Sequence, residues 1–151
     1  MDELEIQGGN TTQALYLTFA VGEEDYGLEI AVVIEIIGVQ TITEVPELPA
    51  YIKGIINLRG RIIPVMDVRI RFNKEPQEYN DRTCIIVVDA QGTNIGLIVD
   101  TVRGVMNITD DDITDPSSHR SGYENRYING IGKTQQGVKL LLNLERLVAD
   151  Y

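Results

Sequence analysis

Between Leu15 and Val21 the apolar residues Leu15, Leu17, Phe19 and Val21 alternate with Tyr16, Thr18 and Ala20. A period of two sends successive side chains to opposite faces, so this segment is predicted to be a strand with one face buried. Cys84–Val88 is a continuous apolar run bounded by polar residues, the pattern of a strand covered on both faces. Ile62–Met66 and Val138–Leu142 add two further apolar strands. Gly60, between Asn57-Leu58 and the Ile62–Met66 run, marks a hairpin turn. Pro64 has no N–H to donate, which predicts an edge or a bulge at that point. Helical spacing is found in two places. Leu144, Leu147, Val148 and Tyr151 fall at i, i+3, i+4 and i+7, with Asn143 placed to cap and Glu145 in the first turn, so a C-terminal helix is expected. Ile30, Val33, Ile34 and Ile37 share that spacing. β-Branched residues lower the propensity there, and a short helix is the expectation.

The pattern occurs twice. Tyr51-Ile52-Lys53-Gly54-Ile55 is echoed 76 residues later by Tyr127-Ile128-Asn129-Gly130-Ile131, and at the same offset Asp67-Val68 is echoed by Asn143-Leu144. Tyr26-Gly27-Leu28 is matched by Ile95-Gly96-Leu97, each after a β-rich run and a glycine-containing turn. Two copies of about seventy residues are too few and too long for a solenoid. They read as a duplicated module, with the polar stretch Gln77–Arg82 between the halves. Seven or more short strands and little helix predict an all-β fold, a pair of small barrels. Their interiors are expected to be almost wholly aliphatic.

Composition narrows the function. With 151 residues, 43% of them hydrophobic, the chain can bury roughly 68–70% of its unfolded surface without a metal or disulfide. Cys84 is the single cysteine, so no intramolecular disulfide forms and a reducing, cytoplasmic compartment is expected. Residues 1–13 are acidic and polar, and are expected to be a flexible tail rather than a signal peptide; residues 14–151 are expected to form the domain, made of two barrel subdomains. No apolar run approaches the ~20 residues that span a bilayer, so direct membrane insertion is not expected. A net charge of −10 disfavours nucleic acid, whose phosphates are bound by Lys and Arg. It fits either a solvated acidic surface or steering toward basic partners.

No catalytic, metal or cofactor site is expected. The single histidine, His119, lies in the polar loop Asp115–Gly122. Cys84 opens an apolar strand, which suggests a buried, inert thiol. Asp110-Asp111-Asp112 lacks the alternating ligands, glycine and terminal glutamate of an EF-hand loop, so a solvated turn or cap is expected. Neither phosphate-binding glycine motif is present.

The remaining feature is the segment Ile52–Arg69, two apolar strands joined by a turn that carries Arg59 and Arg61 in an acidic chain. Those arginines are read either as solubilising turn residues or as interface anchors. Glu35, within the apolar stretch Ala31–Ile37, is likewise an ordinary exposed position or the polar centre of a docking patch.

Here the sequence resembles the CheW family of bacterial chemotaxis coupling proteins. The likeness rests on Lys53-Gly54, Asn57-Leu58-Arg59-Gly60 and Pro64-Val65-Met66-Asp67-Val68-Arg69. Tyr26-Gly27 and Glu35 support it upstream, as do Gly96, Val99-Asp100, Val102, Val105 and Tyr127 downstream. It runs from Leu15 to about Val148 and leaves 109–123 unmatched in detail. The resemblance implies two five-stranded SH3-like barrels with exchanged strands. It also implies a non-enzymatic adaptor joining the cytoplasmic tips of methyl-accepting chemotaxis receptors to the regulatory domain of the histidine kinase CheA. The family's partner-contact positions fall on Val33, Glu35, Ile36, Gly54, Arg59, Gly96 and Val105. The start at Met1 and a match reaching the terminal helix lead us to expect a free-standing protein rather than the kinase's own paralogous domain. A small-ligand or enzyme barrel is the rival from another class, and it would need an internal pocket with convergent polar groups.

Overall fold

The computed structural model describes residues 14–116 and 126–149. The acidic segment 1–13, His119 and Tyr151 lie outside the described residues. Among those described, the strands are β1 (Leu15–Val21), β2 (Glu24–Glu29), β3 (Val33–Gly38), β4 (Ile52–Leu58), β5 (Arg61–Asp67), β6 (Cys84–Ala90), β7 (Thr93–Val99), β8 (Thr101–Asn107), β9 (Ile113–Thr114), β10 (Ile128–Thr134) and β11 (Gly137–Leu142). Single-turn helices α1 (Val68–Arg71) and α2 (Leu144–Leu147) follow β5 and β11.

The strands form two sheets, ordered β8-β1-β2-β11-β10-β9 and β3-β6-β7-β5-β4. Each takes a hairpin from one half of the chain, β1–β2 or β6–β7, and its other principal strands from the opposite half. The duplication is therefore folded by strand exchange. We call the sheet built on β1–β2 barrel I and the one built on β6–β7 barrel II. The short β9 has a counterpart in barrel II, an isolated bridge between Thr43 and Ile55.

The repeat extends to individual hydrogen bonds. Barrel II pairs β5 with β7 in parallel, Val65 opposite Gly96; barrel I pairs β11 with β2, Leu141 opposite Gly27. A bulge between Ile52 and Gly54 recurs between Ile128 and Gly130. The Asp67 N–H donates to the Tyr51 carbonyl at 2.7 Å, and the Asn143 N–H to the Tyr127 carbonyl at 2.7 Å. Asp67 then caps α1, its Oδ1 accepting from the N–H of Arg69 at 2.9 Å, while Asn143 caps α2 by accepting from Arg146 at 3.1 Å.

Several expectations change in detail. β1 is buried on both faces beyond Leu15 because it lies between β2 and β8 with a second layer packed on it. The helix expected around Ile30–Ile37 is a three-residue 3₁₀ turn at Ile30–Val32 followed by β3; the β-branched run prefers the pleated strand. Pro64 lies in the interior strand β5, one residue before pairing with β7 begins at Val65, next to the bulge rather than at an edge. Cys84 is half-buried, its thiol donating to the Arg82 carbonyl at 3.4 Å. Asp110–Asp112, by contrast, form the solvated turn expected, an exposed 3₁₀ turn.

The largest core lies between the barrels, where Phe19 and Tyr26 of barrel I meet Met66 and Leu97 of barrel II, joined by Val68 and Leu147 from the two helices. Arg71 sits at the centre of this duplication. Its guanidinium lies 4.2 Å from the Tyr51 ring centroid and 5.0 Å from that of the matching Tyr127, and its Nε donates to the Leu147 carbonyl at 2.8 Å. Such a buried cation is tolerated because its hydrogen bonds and ring faces replace water.

The barrel interiors differ. Barrel II is filled by Ile56, Leu58, Ile63, Val65, Ile85, Val87 and Ile98, as expected. Barrel I has a smaller apolar cluster of Tyr16, Ile108 and Leu141. On the same face of β11 as Leu141 is Lys139, only 3% exposed, whose Nζ donates to Asp25 Oδ2 at 2.8 Å and to the Gln136 carbonyl at 3.2 Å. The expectation of an aliphatic interior therefore fails in barrel I. Burial opposes ionisation of Asp25, but the Lys139 ammonium and Arg103 guanidinium outweigh it and hold the carboxyl below its ordinary range.

Candidate partner-binding surface

β3 and β4 are the two edges of the barrel II sheet. Along β3, Val33, Glu35 and Ile37 are half-buried while Ile34 and Ile36 are exposed. This alternation follows from one face lying on the barrel and the other in water. β4 and β5 are joined by the two-residue loop Arg59-Gly60, with Leu58 opposite Arg61. Both loop residues have positive φ, 52° and 87°, as a type I′ turn requires, and Asn57 Oδ1 accepts from the Gly60 N–H at 2.8 Å. The turn aims Arg59 across to β3, where its Nη2 donates to Glu35 Oε2 in an ion pair. One pair thus links the sheet's edge strand β3 to the turn beyond β4. Arg59 is 68% exposed and Glu35 30%, so both remain reachable from outside.

The seven positions singled out in the sequence separate into two sets. Glu35, Ile36, Arg59 and Val105 reach the surface, with Ile36 42% and Val105 54% exposed. Val105 lies on β8, an edge of barrel I, at the place in that barrel that Ile36 holds in barrel II. Val33 packs half-buried against the core between the barrels. Gly54 and Gly96 are interior. A Cβ on Gly54, whose φ is +147°, would stand 2.1 Å from the Thr43 carbonyl oxygen, in the clip where Thr43 and Ile55 exchange hydrogen bonds of 2.9 Å. A Cβ on Gly96 would meet Ile85 Cγ2 at 2.7 Å. Both glycines are buried where an added side chain would collide with its neighbours.

Exposed Ile34, Ile62 and Val138 escaped the sequence reading. The repeat itself carried the signal: Ile62 and Val138 stand 76 residues apart, at matching positions of β5 and β11. An apolar residue that stays outside in both copies is unneeded for either core. The described residues contain no group of three or more His, Cys, Asp or Glu placed to hold a metal ion, and no helix among them is long and apolar enough to cross a membrane.

Comparison with known proteins adds to this geometry. Residues 15–151 match the CheW-like domain. The chain is 31% identical to a chemotaxis protein CheW of Klebsiella aerogenes, over 94% of this chain and 86% of that protein. It is 30% identical to a chemotaxis protein CheW of Treponema pallidum, over 93% and 85%. Among solved structures it is similar to the scaffolding protein TtCheW of Thermoanaerobacter tengcongensis, with a TM-score of 0.82, 36% identity, and coverage of 89% of this chain and 91% of that one.

Proposed function

The chain belongs to the CheW-like family, and from that premise we propose that it is a non-enzymatic, cytoplasmic adaptor coupling methyl-accepting chemoreceptors to the histidine kinase CheA. The observation that carries this reading is the exposed apolar edge of barrel II, Ile34 and Ile36, on the same strand as Glu35, whose ion pair with Arg59 lies on the other face. Apolar side chains left in water on an edge strand suit a partner that covers them. Val105 offers a second apolar position on the other barrel. A protein with one contact position on each barrel can hold two neighbours at once, and many such modest contacts in an array reinforce one another through effective concentration.

The test is reconstitution with a receptor fragment and the kinase, reading kinase activity and co-sedimentation. Receptor control of the kinase is expected only when this protein is added. Arg59→Ala is expected to weaken ternary assembly by about 1–3 kcal/mol with an unchanged fold by circular dichroism. Normal assembly by that variant removes Arg59 from the contact surface. Ile36→Asp and Val105→Asp, assayed against each partner separately, show which barrel meets which partner.

A further inference from the structure

The mouths of the two barrels, beside α1 and α2, are built from corresponding residues but filled differently. In barrel II, Tyr79 from the stretch between the halves plugs the mouth. Its ring packs against the aliphatic interior and its hydroxyl donates to Asp67 Oδ2 at 2.7 Å. A cavity of only about 30 Å³ remains there, bordered by Asp67, Arg69, Ile98 and Tyr79 itself. In barrel I the places of Asp67, Arg69 and Ile98 are held by Asn143, Glu145 and Glu29. These residues border a cavity of about 420 Å³ that reaches inward to Tyr16, Leu28 and Leu141. No described side chain plays the part of Tyr79 in it.

The rims also differ in charge: the barrel II mouth joins a cation to its carboxylates, while the residues lining the barrel I mouth include carboxylates and no lysine or arginine. Arg69 stands at the barrel II mouth, held by Asp100 at 2.9 and 3.0 Å, and the plugging tyrosine arrives between Glu78 and Asp81. The barrel I mouth carries Glu29, Asp89 and Glu145 instead. Asn143 caps α2 through Oδ1 as Asp67 caps α1, which leaves its Nδ2, at the place of the oxygen that Tyr79 meets, to donate to a phenol oxygen. We propose that the barrel I cavity receives a tyrosine side chain flanked by lysine or arginine from a partner protein, seated as Tyr79 is seated in the other barrel. This inference goes beyond the adaptor reading and does not depend on which partner supplies the tyrosine.

The probe is a blocked peptide, Gln-Lys-Tyr-Asn-Lys, which copies the plugging segment with its charges reversed, titrated into the full chain and followed by amide NMR shifts. A single aromatic anchor on a flexible peptide is expected to bind with a dissociation constant of roughly millimolar order. The shifts should cluster on Tyr16, Gly130, Leu141 and Asn143. They should vanish when alanine replaces the peptide's tyrosine, and Glu145→Arg, at an exposed rim position, should weaken binding about threefold or more. No clustered shifts at several times that concentration, or equal binding by the alanine peptide, overturns the proposal. The same amides moving on simple dilution assign the cavity to a second copy, and moving on deletion of Asp150-Tyr151 assign it to this chain's own end; either result also overturns it.

Discussion

Barrels I and II share a strand order, a parallel pairing register, a bulge and a helix cap, yet one interior is aliphatic and the other contains a charge. Lys139 takes the place of Ile63, Thr18 that of Val87, and Asp25 that of Asn94. Each polar substitute is satisfied where it sits: Lys139 by Asp25 and the Gln136 carbonyl, Thr18 by the Gly104 carbonyl at 3.0 Å. What the halves share is backbone geometry, and what they are free to vary is interior chemistry. A polar group buried in a small barrel costs far less when it keeps hydrogen-bond partners than when it loses them.

The sharpest way to break this comparison is to move the charge without its partner. Ile63→Lys places an ammonium among Val65, Ile85 and Val87 with no carboxylate across the ladder. It should cost about 4 kcal/mol or more, by urea denaturation. The reverse change, Lys139→Met, should cost less, about 2 kcal/mol, because Asp25 keeps Arg103 at 3.3 Å and partial access to water. Adding Asp25→Asn should recover much of that loss. Equal costs at positions 63 and 139 would show that satisfaction does not distinguish the barrels.

A smaller effect separates the matched bulge glycines. Gly54→Ala meets both a strained φ and a backbone oxygen that cannot retreat without opening the Thr43–Ile55 clip, so a loss of about 3 kcal/mol is expected. At Gly130 the added methyl meets Ile113 Cγ2 at 2.8 Å. A side chain can yield, and about 1–2 kcal/mol is expected. Thermal unfolding of the two variants decides it. Partner binding lost by Gly54→Ala in proportion to stability identifies Gly54 as a shaping residue.

Much of the duplication was legible in the sequence because it rests on residues that set backbone geometry. Gly54 and Gly130 fix the bulges, and Asp67 and Asn143 the caps. Strand exchange was legible only through the family resemblance, since a hairpin pairs equally well with strands of either half as far as periodicity can tell. β3 was misread because Ile30, Val33, Ile34 and Ile37 satisfy helical spacing and strand composition together, and pairing with β6 across a bulge decides between them. Nothing in the sequence marks Lys139, which lies within the apolar strand expected at Val138–Leu142. Its burial depends on Asp25, which lies opposite it only after β2 and β11 pair in parallel. Glu35 and Arg59 were both flagged, but their ion pair needs the barrel to close.

The smallest expected effect concerns pH, and it has opposite signs in the two barrels. Asp25 is held below its ordinary value of 3.8 in the folded protein because its two cations outweigh burial. A depressed folded pKa means that ionised Asp25 contributes its full stability above that ordinary value, and that the contribution is lost as pH falls through the lower folded value. Asp25→Asn should therefore flatten the acid limb of a plot of stability against pH, below about pH 4, apart from any uniform offset. In barrel II the corresponding Asn94 lies opposite Asp89 in the β6–β7 ladder. Asn94→Asp would set two carboxylates face to face, which raises the pKa of the new group. A raised folded pKa works the other way: the variant should match its parent in acid and fall behind as pH rises through the ordinary carboxylate range. If both substitutions left the acid limb parallel to that of the parent, the Lys139–Asp25 pair would be electrostatically idle, and the contrast between the barrels would reduce to packing alone.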